Sequence, residues 1–159
     1  MEHLWSPWRM EYIMQHEPDN GCIFCDALAH EDKATSLIVA RGEHCFAMMN
    51  LYPYTSGHIM VVPNAHQSSL EMLEPAARSE LMEMVSHGIE VLRQIYHPEG
   101  FNVGVNIGAA AGAGVVSHVH MHIVPRWAGD TNFMSALAGT RVLPEALEDT
   151  YRRLREGWE

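Results

Sequence analysis

The sequence predicts an α+β domain in which an antiparallel sheet of about five strands packs with one long helix and a C-terminal helix. Three observations carry this prediction. Short strand-like runs follow one another in hairpin order, a single amphipathic pattern extends over about residues 74–97, and a second helical pattern closes the chain of 159 residues. Strands in this order, with the helices set apart from them, favour an antiparallel sheet.

The predicted strands are rich in β-branched and other apolar residues and are bounded by turn residues. They are SLIVA, HCFAMMN, GHIMVVP, FNVGVNI and HVHMHIVP. Arg41, Gly42 and Glu43 separate the first two runs, which indicates a hairpin. The third run follows the turn-rich YPYTSG, and the fifth ends at Pro125. We expect these strands to be antiparallel neighbours.

The long helix is predicted from about Glu74 to His97, with Pro75 near its start. Its apolar residues recur at spacings of three and four, as expected of one buried helix face. They are Ala77, Leu81, Val85, Ile89 and Leu92. The segment DALAHED resembles a short helix, and the closing helix has Pro144 at its first turn.

Length and composition favour a single domain over residues 1–159, with an N-terminal arm at 1–21 and a core at 22–159. A formal net charge of -10 argues against a partner that is DNA or RNA, because proteins of that class gather Lys and Arg into a patch. No apolar run is long enough to span a membrane, and the start lacks the apolar segment of a secretory signal. We therefore expect a cytoplasmic protein.

Three histidines alternate with apolar residues in SHVHMHIVPRW, residues 117–127. In a strand, His118, His120 and His122 would share one face while the intervening residues face the core. One interpretation is a catalytic zinc held by all three imidazoles, with an open position that activates water. In the other, the middle imidazole attacks phosphorus while its neighbours position a phosphate and assist the leaving group.

The cysteines indicate metal or redox chemistry at one place and core packing at another. Cys22 and Cys25 form a Cys-x-x-Cys pair, which in a chain with only three cysteines is more typical of metal binding or redox work than of a disulfide framework. Cys45 lies in an alternating strand pattern and is predicted to be buried. The glycine-rich AAAGAG lacks the Gly-Lys-Ser/Thr ending of a P-loop, although its N–H groups could face an anion.

The HVHMHIV run resembles the characteristic motif of the histidine triad (HIT) family of nucleotide hydrolases and transferases. GHIMVVPNAH is similar to the family's second characteristic stretch, and CIFC, NVGVNIG and PRWAGDTNF follow in the family's order over most of the chain. WSPWRMEYI and PRWAGDTNFM resemble the bacterial branch that acts on diadenosine polyphosphates, related to fragile-histidine proteins and diadenosine tetraphosphate phosphorylases. The resemblance implies the HIT fold.

The resemblance also implies roles for individual residues. His120 would be the nucleophile on the α-phosphorus and form a nucleotidyl-histidine intermediate, which water or inorganic phosphate then resolves. His122 matches the residue that contacts the phosphate and assists the leaving group, and His58 matches a fourth family histidine beside the triad. Asn50 stands where family members contact the ribose, and is otherwise a turn residue. Asn106 matches a polar residue near the phosphates, although a plain strand-end Asn fits as well.

Two further positions were assigned to substrate binding. Fragile-histidine proteins carry a glutamine, and some phosphorylases a serine, where Gly114 stands, so this chain offers no side-chain contact to phosphate there. Trp127 could stack on or flank an adenine, or could pack in the core or an interface. Arg126 could add positive potential, or could be a solvated residue at the end of its strand.

A Cys2His2 zinc site is implied by the same resemblance. Zinc-containing HIT proteins and the related galactose-1-phosphate uridylyltransferases use such a set, and Cys22, Cys25, His66 and His118 match it. Four ligands close a zinc site, so this metal would be structural and would leave His120 unligated. It also argues against the three-histidine catalytic zinc, because His118 cannot easily serve two metals. No organic cofactor is expected.

The leading functional expectation is an enzyme that splits a dinucleoside polyphosphate, such as diadenosine tri- or tetraphosphate, at an α-phosphate through His120. A purine nucleoside phosphoramidase, a slow nucleotide-sensing HIT protein and a water-activating zinc hydrolase remain as alternatives. The resemblance implies a homodimer or a higher assembly, with the apolar arm and Trp158 as candidate contacts. The sequence leaves open whether water or phosphate is the acceptor, how long the phosphate bridge is and which base is preferred.

Overall fold

The described part of the chain forms a five-stranded antiparallel sheet with helices on both faces, which confirms the predicted fold class. A computed structural model describes residues 21–30, 36–130 and 145–159. The predicted N-terminal arm, apart from Gly21, and Pro144 therefore lie outside the described residues. The division of the chain into an arm and a core stays a prediction.

The described strands and helices follow the predicted order. The strands are β1 (Ile38–Arg41), β2 (Cys45–Met49), β3 (Ile59–Pro63), β4 (Gly100–Val105) and β5 (Met121–Arg126). The helices are α1 (Ile23–Ala29), α2 (Pro75–Tyr96) and α3 (Leu147–Trp158). Short 3-10 turns occupy Leu70–Met72 and Ala109–Ala111.

The strand order β1-β2-β3-β5-β4 places β5 inside the sheet and β4 at an edge. His122 on β5 pairs with Met60 on β3 and with Gly104 on β4. Because it has a partner strand on each side, β5 holds its side chains on a rigid surface. The C-terminal part of the histidine motif therefore lies in the middle of the sheet.

Alternate residues of the central strands face two different apolar clusters. Cys45, Ala47 and Met49 of β2 face α2 and α3, whereas Phe46 and Met48 face α1. The Cys45 side chain is fully buried, which confirms its predicted core position. The face that carries α1 is only partly covered by this short helix. This is the face from which His122 projects, because its partner Met60 belongs to the α1 cluster.

The fifth strand begins later than predicted. We predicted a strand from His118, but β5 begins at Met121, so only His122 of the triad lies within a strand. Pro63 ends β3 and has no N–H group to extend the ladder toward the earlier histidines. Instead, Val119 N–H donates to the carbonyl of Gln67 at 2.7 Å. The three imidazoles therefore do not form the regular row of one strand face.

Helix α2 begins and ends close to the predicted residues. Pro75 stands in its first turn, and His97 closes it in the left-handed conformation with φ of 47°. Its buried residues Ala77, Leu81 and Val85 confirm the predicted core face. Within the described ranges, no helix has both the length and the apolar character needed to cross a membrane.

The Glu80 carboxylate ties α2 to the β1–β2 hairpin. Both of its oxygens accept from the His44 N–H, at 3.1 and 3.0 Å, and one also accepts from the Cys45 N–H at 3.2 Å. Gly42 permits this approach, since a Cβ there would stand 1.9 Å from Glu80 Oε1. Glu80 therefore accepts hydrogen bonds from two N–H groups of the hairpin, those of His44 and Cys45.

Replacing Glu80 with Ala is expected to lower the free energy of unfolding by about 1–3 kcal/mol, because two partly buried N–H groups lose a charged acceptor. Urea denaturation measures the loss. Glu83→Ala is the matched control: Glu83 lies on the exposed side of the same helix, and its replacement is expected to change stability by less than about 0.5 kcal/mol. Equal losses in the two variants would contradict the anchoring role.

Candidate active site and metal-binding cluster

A cleft of about 740 Å³ opens on the α1 face of the sheet. Five of the predicted site residues line it: Asn50, Asn106, Gly114, His120 and His122. His58 lies behind His122, and the four predicted metal ligands gather beside the cleft at the start of α1. Trp127 is not among the residues that line the cleft.

The His120 ring is buried, with 5% of its surface exposed, and forms part of the cleft wall. Its Nδ1 lies 2.9 Å from the carbonyl oxygen of His118. Since a carbonyl only accepts, Nδ1 carries the proton and Nε2 carries the lone pair. Burial lowers the pKa of His120, with the His118 hydrogen bond acting in the opposite direction. The residue is therefore a neutral imidazole with a defined tautomer.

A chain of hydrogen bonds fixes the tautomers of His58 and His122. The Tyr54 N–H donates to His58 Nδ1 at 3.1 Å, so in a neutral His58 ring the proton is on Nε2. His58 Nε2 lies 2.9 Å from His122 Nδ1 and donates to it. The remaining proton of a neutral His122 is consequently on Nε2. The backbone of Tyr54 thus makes His122 Nε2 a donor, whereas His120 Nε2 is an acceptor.

Two aromatic rings, neither of them a predicted site residue, pack on the histidines. Tyr54 stacks on His58, with centroids 4.8 Å apart and planes at 24°. Phe24 packs on His120 at 4.8 Å, and the His122 ring lies at the same centroid distance from His120. Phe24 occupies the middle of CIFC, so its place between two predicted metal ligands is the signal that could have drawn attention to it.

Asn50 is a turn residue that also lines the cleft. Its Oδ1 accepts from the Tyr52 N–H at 2.8 Å, which is an Asx turn. Asn106 follows β4 and lines the cleft. Gly112 has φ of 82°, a conformation that favours glycine, and it lines the cleft together with Gly114.

The guanidinium group of Arg126 is paired with neighbouring polar side chains. Its Nε lies 2.5 Å from Asp130 Oδ2, another guanidinium nitrogen contacts Asp130 Oδ1 at 2.8 Å, and a third contacts Asn102 at 2.6 Å. Among the described residues that line the cleft, none is Lys or Arg. Among these described residues, the groups that could bind an anion are imidazole N–H groups, amide side chains and loop N–H groups.

The side chains of Cys22, Cys25, His66 and His118 converge, and their ligand atoms all lie within 4.8 Å of one another. The Sγ–Nδ1 distances are 3.2 Å for Cys22 and His118, 3.3 Å for Cys25 and His66, and 3.7 Å for Cys25 and His118. Tetrahedral zinc with ordinary bond lengths places sulfur and nitrogen ligands roughly 3.6 Å apart. The donor set and its spacing therefore fit a four-coordinate metal site.

Hydrogen bonding prepares His118 for such a site. Its Nε2 donates to the carbonyl of Pro63 at 2.8 Å, which leaves the Nδ1 lone pair directed at the thiols. Both ring nitrogens are thus engaged away from the cleft, which argues against a zinc shared by the three triad histidines. Burial and the neighbouring Cys22 raise the pKa of Cys25 to about 11, so this thiol needs a nearby cation to ionise at neutral pH.

The comparisons with known proteins agree with this geometry. The HIT domain model matches residues 31–129, and the chain belongs to the histidine triad family. A Mycobacterium tuberculosis protein named AP-4-A phosphorylase is 38% identical over 165 aligned residues, which cover 99% of this chain and 85% of that protein.

Solved structures show the same fold. A zinc-bound histidine triad family protein from Mycobacterium smegmatis matches with a TM-score of 0.70 and 27% identity, covering 87% of this chain and 93% of that one. A hypothetical histidine triad nucleotide-binding protein from Sulfolobus tokodaii also matches with a TM-score of 0.70, at 26% identity over 86% of this chain and 91% of that one. The resemblance inferred from the motifs is thereby confirmed at the level of family and fold.

Removing one ligand of the cluster is expected to weaken zinc binding by more than about tenfold. His66→Ala is the variant of choice because His66 is exposed and packs little, so folding should survive. Competition against a chromophoric chelator measures the affinity. His44→Ala, which removes an imidazole outside the cluster, should leave the affinity unchanged. Equal zinc affinity in the two variants would rule out the assigned ligand set.

Proposed function

We propose that this protein cleaves dinucleoside polyphosphates, such as diadenosine tetraphosphate, at an α-phosphate through a nucleotidyl-His120 intermediate. The observation that carries the proposal is the 2.9 Å contact between His120 Nδ1 and the His118 carbonyl oxygen. The His118 carbonyl holds the proton on Nδ1, so Nε2 of a cleft-lining imidazole has its lone pair available. A neutral imidazole with an available lone pair is a nucleophile suited to attack at phosphorus.

In the first step, His120 Nε2 forms a bond to the α-phosphorus, and the bond from phosphorus to the bridging oxygen breaks. The bridging oxygen leaves with the electron pair as part of a nucleoside polyphosphate. The imidazole becomes a cation, and the Nδ1–H bond to the His118 carbonyl stabilises the new positive charge. In the second step, an oxygen of water or inorganic phosphate bonds to phosphorus, the bond from phosphorus to Nε2 breaks, and its electron pair returns to Nε2. When water is the acceptor, one of its protons is released to solvent.

His122 and His58 are proposed to stabilise the negative charge that develops on oxygen. The hydrogen-bond chain from the Tyr54 N–H directs the His122 proton to Nε2, where it can donate to a phosphoryl or bridging oxygen. His58 is 1% exposed and acts through His122, so we assign it a positioning role. Asn50 is proposed to contact the ribose, and Asn106 and the loop at Gly114 to contact the phosphates.

The relative named AP-4-A phosphorylase supports this substrate class and favours phosphate as the acceptor. Adenine nucleotides are accordingly the proposed ligands, and the cytoplasm is the proposed location. Trp127 lies outside the cleft lining, so its stacking role stays a prediction. A purine nucleoside phosphoramidase or a slow nucleotide sensor would use the same cleft, and the kinetic experiment below separates the sensor from the proposed enzyme.

We further propose that the metal cluster holds structural zinc. Cys22, Cys25, His66 and His118 would supply all four ligands, which leaves no open position for water. When bound, zinc would hold the start of α1 against the segment that carries the triad. The zinc-bound Mycobacterium smegmatis relative supports the choice of metal.

His120→Asn is expected to lower kcat/KM for diadenosine tetraphosphate by at least about 10³-fold, because an amide cannot form the covalent intermediate. Steady-state kinetics measure the loss. His97→Asn is the matched control, since His97 is exposed and its left-handed backbone suits Asn. Retention of activity by the His120 variant would refute the nucleophile assignment, and an inactive wild type would favour the sensor.

Product analysis with and without inorganic phosphate is expected to identify the acceptor. If phosphate resolves the intermediate, diadenosine tetraphosphate gives ADP and ATP only when phosphate is present. Chromatography of the digests separates these nucleotides from AMP. The appearance of AMP and ATP, or of ADP alone without added phosphate, would show a hydrolase and contradict the phosphorylase reading.

A homodimer is proposed through the edge strand β4. Residues 102–104 of this strand are exposed, and Val103 is 42% exposed. An edge strand with an exposed apolar side chain is suited to pairing with a second copy. The Trp158 ring lies near α2, with its centroid 5.2 Å from that of His87, and its part in an interface stays a prediction.

Val103→Lys is expected to shift the molar mass in solution from dimer to monomer, because it places a charge at the proposed pairing edge. Size-exclusion chromatography with light scattering gives the mass. Val116→Lys is the control, since Val116 is also exposed, at 45%, but lies in the loop before the triad. A monomeric wild type, or a Val103 variant that stays dimeric, would exclude this interface.

A further inference from the structure

Phe24 connects the two halves of the site. It lies between Cys22 and Cys25 in sequence, is 1% exposed and also lines the cleft. Its ring packs on His120 at 4.8 Å with the planes at 51°, and on His118 edge-on at 5.4 Å and 77°. One side chain therefore contacts both a predicted metal ligand and the proposed nucleophile.

The His120 ring contacts two other rings. Phe24 and His122 each lie 4.8 Å away, centroid to centroid. The hydrogen bond to the His118 carbonyl is a single contact, and rotation by 180° about Cβ–Cγ would break it by placing Cδ2 where Nδ1 had been. Packing against Phe24 restricts that rotation and favours the orientation in which Nε2 is the unprotonated nitrogen.

Helix α1 depends on outside contacts to hold Phe24 in place. It has seven residues, which is too short for independent stability, and Cys22 at its N-cap makes no side-chain capping bond. Arg41 holds the far end by donating to the carbonyls of Leu28 and His30, at 3.1 and 2.8 Å. At the near end, the fixed points are the contacts of Cys22 and Cys25 with His118 and His66.

We propose that Phe24 is a positioning residue for His120, and that the Cys2His2 cluster fixes Phe24 from both sides so that metal occupancy is transmitted to the nucleophile. The consequence for turnover rests on the proposed function, whereas the consequence for the orientation of the His120 ring does not. A metal classed as structural would then set the geometry of the reacting imidazole without touching substrate.

Long-range proton–nitrogen NMR of the zinc-loaded protein tests the first half of the proposal, with His120→Asn used to assign the His120 resonances. In the wild type, the nitrogen shifts should show Nδ1 protonated. Phe24→Leu should move both His120 nitrogen shifts toward an average of two tautomers and lower kcat for diadenosine tetraphosphate by about tenfold or more. Phe24→Tyr, which restores a ring, should recover the wild-type shifts.

Phe46→Leu is the matched control. Phe46 is fully buried in the same apolar cluster as Phe24 and does not line the cleft. It should lose stability as Phe24→Leu does, but keep the His120 nitrogen shifts. If both variants leave those shifts unchanged, or both alter them equally, Phe24 has no specific positioning role.

Removal and return of zinc tests the second half. Chelation should move the wild-type His120 shifts in the direction of the Phe24→Leu shifts, and added Zn²⁺ should reverse the change. In Phe24→Leu, chelation should change the His120 nitrogen shifts much less, because the ring that would transmit the change is already absent. An equal effect in both proteins would show that the metal acts through His118 instead and would overturn the transmission through Phe24.

The two proposals fail separately. If the protein does not turn over diadenosine tetraphosphate, the proposed function falls, while the nitrogen shifts still decide the role of Phe24. If turnover depends on His120 but the His120 nitrogen shifts are unchanged in Phe24→Leu, only the positioning role is lost.

Discussion

The hydrogen bond from His120 Nδ1 to the His118 carbonyl is the interaction on which the rest of the site depends. It joins residues two apart in sequence at 2.9 Å, and it decides which nitrogen of a buried imidazole keeps its lone pair. The bond exists because the chain leaves the sheet before Met121, so the His118 carbonyl is free of a strand partner. Pro63 accounts for this departure, since it ends β3 without an N–H group to continue the ladder.

The surroundings of the three alternating histidines differ, and they suit each imidazole to a different role. His118 is buried and donates Nε2–H to the Pro63 carbonyl, so its Nδ1 faces the thiols. His120 has the opposite tautomer and faces the cleft. His122 lies within β5 and receives its tautomer through His58 from a backbone amide. The same side chain at three alternate positions is therefore suited to three proposed roles, as a metal ligand, a lone-pair donor to phosphorus and a proton donor. The difference lies in which carbonyl or amide each ring meets.

Much of this arrangement could be predicted from the sequence, because periodicity and motif spacing report on local structure and on which residues converge. The five strands and the 75–96 helix follow from such patterns, whereas the grouping of Cys22 with His118 is implied by the resemblance to histidine triad proteins. The start of β5 could not be predicted, since it depends on the pairing of His118–His120 with a neighbouring strand that ends in proline. The Phe24 contact and the tautomer of His118 could not be predicted either, because the groups that set them lie far away in sequence. The tautomer of His120 depends on a carbonyl two residues away, but that bond forms only because the backbone leaves the sheet before Met121. Trp127 had the right residue type for stacking, but its position relative to the cleft is a tertiary property.

The most direct measurement of the central claim is the chemical location of the intermediate. Wild-type protein is mixed briefly with diadenosine tetraphosphate, quenched under conditions that preserve phosphoramidates, and analysed by intact mass and peptide mapping. The account predicts one adenylyl group per chain, attached to His120 through Nε2. An adduct on His118 or His122, or rapid cleavage with no adenylylated protein at any quench time, would contradict it.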